Sequence, residues 1–291
     1  MSSADVTTST PDVRPPARRY PGVLWRQYRA ETGQMLTRRR NLILLGVLAI
    51  VPVVIGIAVK VSNPTGGDGP EFLNRITGNG LFLVFTAITV AIPFFLPLVV
   101  GVVAGDSIAG EAGLGTLRYL LTVPVSRGRL LTVKTLAVAT FTFVAVLVVA
   151  IAGLVMGAAL FGLHALVLLS GDTVGIGDAL ARTLGVVAYV GIALFGLAAG
   201  GLFVSTLTEN PIAAMATTVG IVILSALLDA VPQLSAIHPA LLTHNWLGFG
   251  ELLRRSVSFA DLTRWTALHL GYAAVFLSLA WSRMASKDVT S

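Results

Sequence analysis

Apolar residues are gathered into long runs along this chain, and short polar stretches separate the runs. A helix that crosses the hydrocarbon core of a bilayer needs about 20 mostly apolar residues. Six runs approach or exceed that length: 42–59, 81–104, 136–160, 184–206, 211–228 and 265–281. The pattern therefore predicts an all-α integral membrane protein, with six transmembrane helices in a domain that covers residues 41–284.

Three of the predicted spans carry local signals of their own. Pro93 and Pro97 predict a kink in the second span, because proline removes a helix hydrogen bond and its ring clashes with the preceding turn. In the fourth span, Gly196 and Gly200 form a small-xxx-small pair that allows another helix to approach closely. Asn210 followed by Pro211 predicts the first turn of the fifth span.

The segment before the first span divides into two parts. Residues 1–22 are rich in Ser, Thr and Pro and show no apolar periodicity, which is typical of a disordered tail. Residues 23–40 place Leu24, Tyr28 and Met35 on one possible apolar face among several arginines, which predicts an amphipathic interfacial helix. A plain basic juxtamembrane segment is the alternative.

Residues 230–263 are apolar but do not form one continuous run. Pro232, Pro239 and Gly248 interrupt them, so short re-entrant or interfacial helices on the outer side fit better than a span. Residues 285–291 form a short predicted cytoplasmic tail.

The composition agrees with a membrane protein. Hydrophobic residues make up 55% of the 291 positions and charged residues only 12%, against about 25% charged in a typical soluble domain. Cysteine is absent, which excludes disulfides, thiolate metal sites and a cysteine nucleophile.

The position of the positive charges predicts the orientation. Eight Lys and Arg residues precede the first span, four lie within 106–134 and two follow the last span, against six on the other side. Cytoplasmic loops carry the excess of Lys and Arg. Both termini and the 106–134 loop are therefore predicted to be cytoplasmic in a multi-pass protein of the cell membrane. The net charge of +6 is explained without nucleic acid.

The 106–134 loop combines charge with a short amphipathic pattern. Leucines recur at near-helical spacing between Ser107 and Leu121, with Glu111 and Arg118 off that stripe, which predicts a short helix. Pro124 is expected to end it. Such a helix at the membrane face is suited to dock a soluble partner; a positive-inside loop without a partner is the simpler alternative.

This loop resembles that of the permeases of ABC-2 type transporters, which reads approximately agE…GTL..LLt.PvsR…l..K. The matching positions are Ala109, Gly110, Glu111, Gly115, Thr116, Leu117, Leu120, Leu121, Thr122, Pro124, Val125, Ser126, Arg127 and Lys134. The resemblance implies a permease that pairs with a second, identical or related permease, each with a separate ATPase subunit. It also implies export of a hydrophobic or amphipathic compound, such as a drug, a peptide antibiotic or a lipid.

The resemblance also suggests which residues take part. The ATPase-coupling residues would be Gly110, Glu111, Gly115, Thr116, Leu117, Arg118, Pro124 and Arg127. Among these, Glu111 and Arg118 would face the ATPase, while Arg127 and Lys134 would lie at headgroup level. Residues that would line a substrate pathway are Phe85, Pro93, Phe94 and Pro97, although aromatic residues in a span more often face lipid or pack.

The sequence contains no catalytic machinery of its own. No phosphate-binding loop is present, so ATP and Mg²⁺ would bind the partner ATPase, and this chain is predicted to be no enzyme and to bind no cofactor. No acidic or basic residue lies at mid-depth in a span, which disfavours an ion-coupled carrier. A non-transporting anchor or regulatory subunit remains the main alternative, followed by an ATP-independent carrier.

No metal site is predicted. His164, His238, His244 and His269 share no metal-ligand spacing. His238 and His244 are six residues apart in the outer segment, and polar loop or interface positions explain them better than a shared ligand role.

Overall fold

The computed structural model describes residues 22–62, 79–113, 127–168 and 170–286, and these are mostly helical. In chain order the helices are α1 (Val23–Thr37), α2 (Arg39–Ser62), α3 (Leu81–Ala91), α4 (Phe95–Gly113), α5 (Arg127–Phe161), α6 (Ile176–Leu207), α7 (Pro211–Asp229) and α8 (Phe259–Ser286). Two short strands, β1 (Leu166–Val167) and β2 (Thr173–Val174), pair antiparallel between α5 and α6. Residues 1–21 and 287–291 of the predicted tails, and residues 114–126, lie outside the described residues, whereas residues 285–286 of the predicted C-terminal tail belong to α8.

Five of these helices are long and apolar enough to cross a membrane: α2, α4, α5, α6 and α7. The prediction of an all-α membrane fold is confirmed. The sixth predicted span, 265–281, lies within the 28-residue helix α8, which is less apolar than these five. The count of six spans and the side on which the termini lie stay predictions.

The predicted second span is divided between α3 and α4. Residues 92–94 form turns, and the helix resumes at Phe95. Pro93 has no N–H to donate to the preceding turn, and the Pro97 ring excludes the helical carbonyl four residues earlier. The kink expected from these prolines is therefore a complete break between two helices.

The helices on either side of the central loop are longer than predicted. Helix α4 continues to Gly113 and α5 begins at Arg127, so fewer residues separate the two helices than the predicted loop, 106–134, contains. As far as Gly113, the separate helix predicted to begin near Ser107 is instead the last part of α4, because no proline or positive-φ glycine lies between Pro97 and Gly113. At 35 residues, α5 extends about 50 Å, well beyond the thickness of a bilayer core.

Helix α6 forms the centre of the bundle and contacts α4, α5, α7 and α8. A Cβ on Gly196 would lie 3.1 Å from the His269 carbonyl oxygen, and one on Gly200 would lie 3.4 Å from the Phe276 ring. The predicted close helix contact at this glycine pair is therefore confirmed, and α8 is the helix that uses it.

Two helix starts illustrate local sequence signals. The Asn210 side chain accepts hydrogen bonds from the N–H groups of Ile212 and Ala213, so the predicted start of α7 is confirmed. Helix α8 begins at Phe259, six residues before its predicted span. The signal was Ser258 followed by Asp261, whose side chains share a 2.6 Å hydrogen bond.

The segment between α7 and α8 forms three short 3-10 helices, at Pro232–Leu234, His238–Ala240 and Trp246–Leu253. Short helical pieces were predicted here. They pack against the end of the bundle at which α7 finishes, which we call the Asp229 end. The opposite end, where α4 finishes and α5 begins, is called the Lys134 end.

Candidate functional site

A buried ion-pair cluster lies at the Lys134 end of the bundle. The Lys134 ammonium on α5 is 2.6 Å from a Glu111 oxygen on α4 and 2.8 Å from a Glu31 oxygen on α1. The Lys134 side chain is only 1% exposed. Because a buried ammonium without acceptors is strongly unfavourable, the two carboxylates stabilise it and hold α1, α4 and α5 together.

A second ionic contact lies close by on α4. Asp106 accepts a 2.6 Å hydrogen bond from Arg40 at the start of α2, and Arg38 lies 3.6 Å from the same oxygen. The Asp106 side chain is largely shielded, whereas the two arginines are partly exposed. Asp106 therefore connects the last turns of α4 to the joint between α1 and α2.

Arg127 joins the start of α5 to the last turn of α8. Its guanidinium donates to the backbone carbonyls of Met284 and Ala285, at 2.9 Å and 3.2 Å. A cation at the C-terminal end of a helix is favourable because the unsatisfied carbonyls there carry partial negative charge. The first residue described after the central loop is thus fastened to the last helix.

The predicted coupling residues divide into a described and an undescribed group. Gly110, Glu111 and Arg127 are described, whereas Gly115, Thr116, Leu117, Arg118 and Pro124 lie outside the described residues. Sequence pattern led us to expect Glu111 to face a partner and Lys134 to lie at headgroup level. The structure turns the Glu111 carboxylate toward a fully enclosed Lys134.

The role of Glu31 was not predicted from the sequence. It lies on α1, a helix predicted from its apolar face, and its contact with Lys134 joins positions 103 residues apart. The same helix contacts α5 again where the Tyr28 and Thr140 hydroxyls lie 2.7 Å apart. A lone acidic residue among arginines was the available signal, and it could not show which cation it pairs with.

Three of the four predicted pathway residues lie together. Pro93, Phe94 and Pro97, at the α3–α4 break, line one wall of an apolar groove of about 210 Å³. The other wall is α7; its lining residues are Val219, Val222, Ile223, Ala226 and Leu227. Phe85 is buried elsewhere, with its ring edge-on to Phe82, and does not reach the groove.

A match to the family described as ABC-2 family transporter protein covers residues 35–225. The chain belongs to the ABC-2 transporter family. The matched region contains α2 to α6 and most of α7, including Glu111, Lys134 and all of the groove lining except Ala226 and Leu227. No curated protein matches the chain. Together with the five apolar helices, the family identifies a multi-pass membrane protein of the permease type.

Proposed function

We propose that this ABC-2 permease is the membrane subunit of an ATP-driven exporter, coupled to a separate ATPase subunit through the segment 106–134. The observation that carries the proposal is the family match, which includes this segment and its two flanking helices. Permeases of the family generally work with an ABC ATPase. ATP and Mg²⁺ would bind that partner, and the termini would lie on the same, cytoplasmic side.

The contacts at the Lys134 end support this segment as the coupling element. Glu111 precedes the loop and Arg127 follows it, and each is fastened to another helix. A push on the loop would reach α1 through Lys134 and Glu31, and α8 through Arg127. Buried ion pairs transmit displacement because separating them exposes uncompensated charge.

A second permease and an apolar substrate fit the exposed surfaces. In the most apolar 18 residues of α2, and likewise of α7, only 22% of the residues are buried among the described residues. Most of their apolar side chains therefore require lipid or another protein. The groove beside α7 is apolar and would accept a hydrophobic or amphipathic compound. We propose that a pair of permeases forms the export path in the cell membrane.

The first experiment is capture of the candidate ATPase by the tagged permease in detergent. Arg118→Glu is expected to lower ATPase retention at least about tenfold, which corresponds to 1.4 kcal/mol, without changing thermal stability. The matched control is Arg255→Glu, a highly exposed arginine at the Asp229 end, which should retain the ATPase like wild type.

Glu111→Arg is a poor test of docking, because it would place two cations together in a shielded cluster. Glu111→Gln keeps the shape of the side chain and removes one carboxylate charge. ATPase retention and thermal stability of this variant can therefore be compared directly with those of wild type. Failure of the folded wild-type permease to hold any ATPase would overturn the proposal and favour a non-transporting anchor.

The groove can be tested by filling it. Ala226→Trp is expected to reduce ATP-dependent transport of lipophilic fluorescent probes by about tenfold or more in reconstituted vesicles, because an indole occupies much of 210 Å³. Leu224→Trp, an exposed position on α7 outside the groove, is the control. Equal transport by both variants would show that substrate does not pass through this groove.

A further inference from the structure

Three potential metal ligands converge at the Asp229 end of the bundle, far from the segment proposed to bind the ATPase. They are Asp229, His238 and His244, and their ligand atoms all lie within 4.8 Å of one another. We propose that these residues form a site for a divalent transition-metal ion such as Zn²⁺. This site does not depend on the proposed transport function.

The geometry is close to that of a metal centre. His244 Nδ1 is 2.6 Å from Asp229 Oδ1, and His238 Nδ1 is 3.9 Å from the same oxygen. Zn²⁺ takes histidine nitrogen and carboxylate oxygen at about 2.0–2.2 Å, which puts tetrahedral ligands about 3.4 Å apart. A small side-chain adjustment would bring all three atoms to that separation, with one coordination position left for water or another ligand.

The hydrogen bonding of His238 favours a free nitrogen at the site. Its Nε2 lies 3.1 Å from the Val231 carbonyl oxygen, which can only accept, so the Nε2 carries the proton. In the neutral ring Nδ1 then has a free lone pair, and it is the atom that faces Asp229. Metal-bound histidines almost always donate their other ring N–H to such an acceptor, which fixes the tautomer and the ring orientation.

The histidine-bearing segment is held in position by other helices. The Ser225 hydroxyl, one turn before Asp229, lies 2.9 Å from the Thr243 hydroxyl. The Tyr189 hydroxyl on α6 donates to the Asn245 carbonyl at 2.5 Å. These contacts fix the backbone on both sides of His244, so little order is lost when a metal binds.

The position of the aspartate adds favourable charge. Asp229 is the last residue of α7, where the helix carbonyls carry partial negative charge that favours a cation. Imidazole nitrogens with a carboxylate suit Zn²⁺, Ni²⁺ or Cu²⁺ better than Mg²⁺ or Ca²⁺. A bound ion would fasten the 238–244 segment to the end of the helix that forms one wall of the groove.

Calorimetric titration of the purified full-length protein in detergent with Zn²⁺ tests the site. We expect one Zn²⁺ per chain, and at least about tenfold weaker binding for His238→Gln, His244→Gln and Asp229→Asn. His164→Gln is the matched control, since His164 is exposed at the same end but outside the cluster. No saturable binding by wild type, or unchanged affinity in the His238→Gln, His244→Gln double variant, would overturn the site.

A second measurement needs no variant and therefore does not depend on variant folding. Carbethoxylation of histidines by diethyl pyrocarbonate, read by mass spectrometry, should slow at least tenfold at His238 and His244 when Zn²⁺ is added. His164 should react at the same rate with and without Zn²⁺. Equal protection of all three histidines, or protection of none, would show that the cluster is only a hydrogen-bonded contact.

Discussion

Lys134→Met is expected to lower the free energy of unfolding by about 3–5 kcal/mol, among the largest single-residue effects in this protein. The substitution removes the only cation in contact with both Glu31 and Glu111 among the described ion pairs. Two carboxylates would then face each other in a shielded site without the Lys134 ammonium between them. The measurement is unfolding of the purified protein in mixed micelles, followed as denaturing detergent is added.

A charge-neutral version of the cluster separates lost charge balance from lost packing. Lys134→Met combined with Glu31→Gln and Glu111→Gln should recover most of the stability, because replacing a whole buried ionic set is often nearly neutral. Arg129→Met, at an exposed position near the start of α5, should change stability by no more than about 0.5 kcal/mol. A triple variant as unstable as Lys134→Met would show that the ionic contacts are not the cause.

Gly157→Ala is expected to destabilise the protein by about 3 kcal/mol or more. The added methyl group on α5 would fall on the backbone of Gly80, just before α3. Gly80 is itself fixed by a 3.0 Å hydrogen bond from its N–H to the Gly162 carbonyl. A flexible side chain could move away from the added methyl group, but the Gly80 carbonyl group is part of the backbone and cannot.

The matched control for this prediction is Gly220→Ala on α7. A Cβ there meets nothing within 4 Å, so the substitution should be neutral or stabilise by up to about 1 kcal/mol through helix propensity. Both variants are compared by thermal unfolding in the same detergent. Equal stability of the two would mean that α3 and α5 are less closely packed than the structure shows.

The sequence signals differ in how much they could reveal. The Asn210–Pro211 start and a distortion at Pro93 follow from the chemistry of one or two residues, so they could be predicted locally; that the distortion divides the span into two helices was not predicted. Gly153 and Gly157 carry the same small-xxx-small signal as Gly196 and Gly200 and were available to the same reasoning. The extent of α4 and α5 was underestimated, because apolar length marks the membrane core and not the helix end.

The sequence by itself determined the membrane class, the apolar helices, the distortion at Pro93 and the family, because each depends on composition or on neighbouring residues. Only the tertiary structure decided that Glu31, Glu111 and Lys134 meet. It also decided that Phe94, unlike Phe85, lies in the groove beside α7, and that two histidines lie next to Asp229. These contacts join residues far apart in the chain. Which charged or apolar side chains become neighbours depends on how the helices rotate and pack, and glycine contacts such as Gly157 with Gly80 set that packing.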